Sequence, residues 1–119
     1  MITTGAVRTD GYWLGYSSQG PGQPNLDLRK PDLCAPSQFR EDRDAHLMNT
    51  GTSAATGLVA AAVAALRSRW DANRVPPARM KQLLMDNARR FDNAQRDDRL
   101  GYGILDARAA YDAAVVAYP

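Results

Sequence analysis

An uncharged, alanine-rich stretch at residues 54–66 limits the possible folds of this chain more than any other feature. Its apolar side chains Val59, Val63, Leu66 and Trp70 recur at spacings of four, three and four residues. That period predicts an α-helix over residues 54–70. A helix without charge on any side is normally buried on all sides, so this one needs protein layers around it.

Short extended segments precede this helix, all within residues 1–36. Residues 1–8 and 12–16 are apolar runs separated by a glycine, and they predict two strands that pair as a hairpin. Residues 29–35 predict a third strand, which contains Pro31 and is closed by Pro36, so we expect an edge strand or an irregular extended segment. A polar loop is expected over residues 37–50.

Two further helices are predicted after the uncharged one. Pro76 and Pro77 open a helix over residues 77–90, and Asp106 is a good N-cap for a last helix over residues 106–117. Strands followed by helices predict an α/β layered fold. Three short strands and two short helices are too few to surround the helix at 54–70, so we expect a fold that is incomplete on its own.

Composition excludes several classes of function. The chain has 119 residues, 45% of them hydrophobic, and a net charge of +2 from 15 basic and 13 acidic side chains. The basic residues are scattered and interleaved with acidic ones, as in residues 40–44, whereas nucleic-acid recognition usually shows a clustered basic face. No apolar run is long enough to cross a membrane, and no basic region followed by a long apolar stretch predicts a signal peptide.

The junction between the polar loop and the uncharged helix is the candidate site. Gly51, Thr52 and Ser53 stand there, and the glycine allows a sharp bend before the helix. Backbone N–H groups at a helix N-terminus are unpaired and favour negative charge, which suits a serine nucleophile and an oxyanion. The alternative is structural: a serine before an alanine-rich helix is commonly an N-cap, worth about 1 kcal/mol.

Four segments, in order along the chain, carry a resemblance to a known family. Residues 51–61 read Gly-Thr-Ser-Ala-Ala-Thr-Gly-Leu-Val-Ala-Ala and resemble the nucleophile segment of subtilisin-like serine proteases, Gly-Thr-Ser-x-Ala-x-Pro-x-Val-Ala-Gly. Residues 2–7 with 16–20, residues 30–36 and residues 101–107 are similar to three other segments of that family. The resemblance implies the C-terminal portion of a subtilisin-like protease domain over residues 1–119.

The resemblance also implies the role of the site residues. Ser53 would be the nucleophile of peptide-bond hydrolysis, and its backbone N–H would be one oxyanion donor. Gly57 and Leu58 depart from the proline and histidine that usually follow the family motif. Peptides or proteins would be the substrates. The family is often secreted, and the sequence itself does not give the compartment.

The rest of the catalytic machinery is missing from the sequence. A serine needs a histidine base held by an acid, and the single histidine, His46, stands in the polar loop outside any setting like that of the family's base. Asn49 is close to Ser53 in sequence but matches no family role. We therefore expect an upstream segment, in cis or in trans, to supply the Asp, the His and an Asn, and the chain to be inactive alone.

The remaining candidate groups are assigned structural roles. No cofactor and no metal site are predicted. Structural calcium could bind to the loop carboxylates, which are Asp27, Asp32, Glu41, Asp42 and Asp44. Their spacing matches no known calcium-binding motif, so a solvated surface is the better interpretation. Cys34, the single cysteine, stands in an apolar run and is expected to be a buried thiol.

Two other functions compete with the interpretation of the chain as part of an enzyme. The chain could be a protease-derived interaction module that self-associates through exposed apolar surface, or an unrelated α/β binding domain.

Overall fold

The computed structural model describes residues 1–44 and 46–119, and it shows an α/β chain with two strands and three helices. The elements are β1 (Thr4–Val7), β2 (Leu33–Pro36), α1 (Gly51–Arg67), α2 (Pro77–Asp86) and α3 (Ala107–Ala117). The predicted α/β class is therefore confirmed. Ala45, within the loop predicted over 37–50, lies outside the described residues.

The two strands are parallel neighbours, with Thr4 opposite Leu33 and Val7 opposite Pro36. The predicted hairpin is wrong: residues 12–16 form no strand and contribute a single antiparallel bridge, between Val7 and Trp13. Pairing stops there because the hydroxyl of Ser17 accepts the N–H of Ala6 at 2.9 Å, in place of a backbone carbonyl.

The strand predicted over 29–35 is shorter than expected and is not an edge strand. It begins at Leu33, after Pro31, whose nitrogen has no proton to donate to a ladder. On its side away from β1, the Cys34 N–H donates to the carbonyl of Gly103 and the Cys34 carbonyl accepts from Leu105, both at 2.8 Å. β2 therefore lies between β1 and the segment that leads into α3.

Helix α1 covers residues 51–67 rather than 54–70, and only one of its faces is buried. Ala55, Val59, Ala62 and Leu66 are covered, and the helix contacts both strands. The opposite face is exposed although it has no charge; its residues are Thr56, Gly57, Ala60, Ala61, Ala64 and Ala65. The expected burial on all sides is thus not met within the part of the chain that the structure describes.

The other two helices close the core at the end of α1. Trp70 is fully buried just beyond α1, donates its indole N–H to the carbonyl of Tyr118 at 2.8 Å, and meets Tyr111 of α3 edge to face. α2 ends at Asp86, not at residue 90, because Arg89 turns into an antiparallel bridge with Ile104. α3 begins at Ala107, and the predicted cap is confirmed, since the Asp106 carboxylate accepts from Ala109 N–H.

No helix of the described residues is long and apolar enough to cross a bilayer.

Candidate active site

The start of α1 presents Ser53 to solvent. Thr50 is the N-cap residue, with φ −140°, and Gly51 follows with φ +80°, a backbone conformation that glycine adopts without steric strain. Ser53 is the third residue of the helix and is exposed. The alternative interpretation of Ser53 as the N-cap is therefore wrong, because the helix begins two residues earlier than predicted.

The N-cap side chain leaves the first turn of α1 uncapped. The first N–H groups of a helix have no partner within it, and the side chain of Thr50 makes no capping hydrogen bond to them. No acidic residue stands in the first turn, and Arg67 stands in the last. The backbone N–H of Ser53 and the positive end of the helix dipole therefore lie at the same end of α1 as the Ser53 hydroxyl.

Two residues from other segments hold the Gly51 turn against the sheet. Ser37 is fully buried directly after β2, where its N–H donates to the carbonyl of Val7 at 2.7 Å. Its hydroxyl donates to the carbonyl of Gly51 at 3.0 Å and lies 2.8 Å from the Tyr16 hydroxyl. The Gly51 N–H in turn donates to the Tyr16 hydroxyl at 3.3 Å.

Sequence reasoning missed this anchoring role, because Ser37 was assigned to the polar loop and Tyr16 to a strand. The available signal was the position of Ser37, a small hydroxyl residue directly after a buried strand.

An open depression of about 450 Å³ adjoins Ser53. One wall comes from the loop over residues 37–50, whose ends are closed by paired hydrogen bonds between Phe39 and Asn49, at 3.2 and 2.8 Å. The Asn49 side-chain amide donates to the carboxylate of Glu41 at 3.2 Å. The floor and the far wall belong to α1, through Ala54, Gly57 and Leu58. The depression has room for a bound side chain next to the serine hydroxyl.

Among the residues that the structure describes, no base is brought to Ser53. His46 is exposed in the loop, and no hydrogen bond or ion pair among residues 1–44 and 46–119 joins it to Ser53 or to Asp44. His46 is the only histidine of the sequence, so the chain contains no other imidazole that could act as a base for Ser53.

One predicted surface carboxylate is in fact buried. Asp32 is 4% exposed, forms an ion pair with Lys81 of α2 at 2.7 Å, and accepts from the Thr3 N–H at 2.6 Å and the Thr3 hydroxyl at 2.9 Å. Burial would raise the pKa of Asp32, but the hydrogen bonds from Lys81 and Thr3 outweigh it and hold the pKa below its usual range. Asp32 is thus a structural charge of the interface between the sheet and α2.

Metal ligands are not clustered in the described residues: no three Cys, His, Asp or Glu side chains among them lie close enough to hold an ion. The calcium site considered for the loop carboxylates therefore gains no geometric support from this part of the chain.

The single cysteine is buried, as predicted, and should be chemically inert. Cys34 is 0% exposed, and burial, with a smaller contribution from Asp97, raises the pKa of its thiol to about 12. Because the thiolate is the reactive form, we expect alkylation by iodoacetamide at pH 8 to be at least about a hundredfold slower in the folded chain than in 6 M urea. Equal rates in the two conditions, followed by mass spectrometry, would contradict this burial.

Gly57 offers a site for stabilisation. It lies in the interior of α1, is exposed, and has open space where a methyl group would stand. Alanine has a higher helix propensity than glycine by about 1 kcal/mol, so Gly57→Ala should raise the free energy of unfolding by about that amount in urea denaturation. Gly51→Ala is the matched control and should lower it, because φ is +80° there.

Comparison with known proteins identifies the family. The model of the subtilase family matches residues 1–103, which include β1, β2, α1, α2 and the Gly51 turn. No curated protein sequence matches the chain.

Solved structures of subtilisin-like proteases share this fold, and three of them illustrate the likeness. The CspB protease of Clostridium perfringens is 25% identical with a TM-score of 0.77, over 97% of this chain and 27% of that one. MycP1 from Mycobacterium smegmatis is 20% identical with a TM-score of 0.72, over 93% and 29% of the two chains. Fervidolysin from Fervidobacterium pennivorans, a keratinolytic enzyme related to subtilisin, is 21% identical with a TM-score of 0.69, over 94% and 19%.

The chain therefore spans less than a third of the length of each of these proteins, and it reproduces the fold of that part. The family match and the shared fold agree with the four sequence segments that resemble subtilisin-like proteases. The chain belongs to the subtilase family.

Proposed function

We propose that this chain is the nucleophile-bearing, C-terminal part of a subtilisin-like serine endopeptidase, and that Ser53 is its nucleophile. The observation that carries the proposal is the exposure of Ser53 in the first turn of α1, beside an N–H group that no capping side chain occupies. The turn formed by Gly51 and Thr52 orients this serine.

The geometry suits one half of an acyl-transfer reaction. The Ser53 oxygen would attack the carbonyl carbon of a peptide bond and give its proton to a histidine base, which passes it to the leaving amine. The negative charge that develops on the carbonyl oxygen would be met by the N–H of Ser53, in the field of α1. Water then releases the acyl group and restores the serine.

The other half must come from an upstream segment, in cis or in trans. It would supply the histidine base, the aspartate that orients it and an asparagine that donates to the oxyanion. Without them the serine has no proton acceptor, so the chain alone is proposed to be inactive.

Two surfaces are suited to receive that segment. One is the exposed, uncharged face of α1 around Ala60 and Ala64. The other is the outer edge of β1: the Ala6 backbone faces away from β2, toward Ser17 and Leu14, and Thr4, two residues earlier, faces the same side. An added strand at Thr4 would extend the sheet beyond β1.

The test is covalent labelling by a fluorophosphonate probe, read by intact mass and mapped by peptide mass spectrometry. We expect no labelling of the chain alone, and one adduct at Ser53 once the upstream segment is joined or mixed with it. Ser53→Ala should abolish the adduct, whereas Ser68→Ala, which removes an exposed hydroxyl at the other end of α1, should leave it.

Two results would contradict the proposal. Steady peptide hydrolysis by the purified chain, lost in Ser53→Ala, would show that the chain needs no upstream segment. Absence of labelling in both forms, together with a stable homodimer, would favour the non-catalytic module that self-associates.

A further inference from the structure

A second surface depression, which shares no residue with the one at Ser53, is built from aromatic side chains. Its volume is about 400 Å³, and Tyr12, Trp13 and Phe91 line it together with Asp10, Gly11 and Leu100. Tyr12 is 70% exposed and Phe91 is 66% exposed. Exposed aromatic clusters of this kind are typical of binding surfaces. We name the three rings the aromatic patch.

The backbone holds the patch in shape. Gly11 has φ +94°, and a methyl group added there would overlap the ring of Phe91. The tight turn is closed by hydrogen bonds from the Arg8 N–H to the Tyr12 carbonyl, at 2.7 Å, and from the Gly11 N–H to the Arg8 carbonyl, at 2.9 Å. The glycine thus lets a ring from the segment before α3 lie directly on the turn after β1.

Each ring of the patch carries a guanidinium group over its face. Arg8 lies 5.0 Å from the centre of Tyr12, Arg89 lies 5.1 Å from Phe91, and Arg99 lies 5.1 Å from Trp13. Arg8 is neutralised by Asp10. Arg89 and Arg99 have no carboxylate partner among residues 1–44 and 46–119, where Asp92 and Asp97 pair with Arg90 instead.

The patch therefore combines apolar faces with two uncompensated positive charges. It also contains an unsatisfied donor, because the indole nitrogen of Trp13 is buried and has no hydrogen-bond partner within the described residues. A buried donor without an acceptor is unfavourable, and an acceptor brought by a ligand would satisfy it. Aromatic and arginine side chains are the residues that dominate binding energy at protein interfaces.

We propose that the aromatic patch binds an acidic peptide segment of another polypeptide, which places an apolar side chain between Tyr12 and Phe91 and carboxylates against Arg89 and Arg99. A peptide is favoured over nucleic acid because carboxylates on flexible side chains can reach Arg89 and Arg99 and stay clear of Asp10, Asp92 and Asp97, whereas the fixed spacing of a phosphate backbone would bring some of its charges against those aspartates. The proposal is independent of the catalytic role of Ser53.

The two tryptophans give a direct assay in the full 119-residue chain. The probe is an acetylated hexapeptide with four glutamates around a central leucine and phenylalanine, added to the ¹⁵N-labelled chain. We expect the indole N–H signal of Trp13 to shift with a saturating dependence on peptide, and that of Trp70, bonded to the Tyr118 carbonyl, to stay in place. The unchanged Trp70 signal also reports that the chain is folded.

Variants and competitors decide the nature of the contact. Arg89→Gln with Arg99→Gln should weaken binding at least tenfold, and so should Phe91→Ala, whereas Arg79→Gln, an exposed cation of α2, should change nothing. A lysine version of the peptide should not bind, and 0.5 M NaCl should weaken the acidic one.

Four results would overturn the proposal: no shift of Trp13 in the folded chain, equal binding of the acidic and lysine peptides, tighter binding of a ten-nucleotide oligothymidylate, or a concentration-dependent shift without peptide that marks a second copy of the chain on the patch.

Discussion

Ser53→Ala should remove peptide hydrolysis from the chain joined to its upstream segment, with a fall in kcat of about 10⁶, the scale known for loss of the catalytic serine in subtilisin itself. The reason is that the change removes the oxygen that attacks the peptide carbonyl in the proposed mechanism. KM should change little, since the lost hydroxyl is small and the walls of the depression at Phe39 and Leu58 are retained. Steady-state kinetics with a fluorogenic peptide measures both constants.

The matched variant is Ser53→Cys, which keeps a nucleophile of similar size in place. Its exposed thiol should react with iodoacetamide at a normal rate, while Cys34 in the same chain stays protected by burial. If Ser53→Ala retains more than about a thousandth of the wild-type kcat, Ser53 is not the nucleophile. Because Ser53 is exposed in a helix, neither change should lower the free energy of unfolding by more than about 0.5 kcal/mol.

The sequence predicted those parts of the fold that depend on local periodicity and capping. The four-three-four spacing of apolar residues identified α1, and the carboxylate of Asp106 identified the start of α3. The hairpin over residues 1–16 was wrong because strand pairing depends on partners distant in sequence: β1 pairs in parallel with Leu33–Pro36, and Ser17 takes the hydrogen bond that a hairpin partner would have taken.

For the candidate site too, the sequence predicted the local features and missed the tertiary contacts. The motif at Gly51 located the turn and Ser53, whose role as nucleophile stays a proposal. The hydrogen bonds of Ser37 and Tyr16 with Gly51, which hold the turn, are tertiary contacts, and no local sequence pattern predicts them. The same holds for Asp32, which looked like a surface carboxylate because its cation, Lys81, comes from a helix far along the chain.

Lys81→Met should destabilise the chain by about 3–5 kcal/mol at pH 7, because it leaves the buried carboxylate of Asp32 without its cation. The side chain of Asp32 is 5% exposed, so water replaces the lost partner poorly. The Thr3 hydrogen bonds remain and satisfy one carboxylate oxygen. Urea denaturation measures the loss, and Arg79→Met is the control: an exposed cation on the same helix, which should change the free energy of unfolding by less than about 0.5 kcal/mol.

Acidification separates an electrostatic loss from a packing loss. The pKa of Asp32 lies below its usual range in the folded chain, so the ion pair stabilises the wild type above the unfolded pKa of about 4 and ceases to do so as the pH falls through the lower folded value. The difference between wild type and Lys81→Met should therefore shrink as the pH falls from about 4 through the lower folded value. A pH-independent difference would mean that Lys81 acts through its aliphatic stem.

The double variant Asp32→Asn with Lys81→Met tests whether these two side chains interact directly. Asp32→Asn alone should be costly, since an amide that keeps its oxygen on the Thr3 donors turns its NH₂ group toward the Lys81 ammonium. Removal of Lys81 relieves that conflict. The loss of unfolding free energy in the double variant should therefore be smaller than the sum of the two single losses, by at least about 1 kcal/mol. Strict additivity would show that the two side chains do not form the ion pair that joins α2 to the sheet.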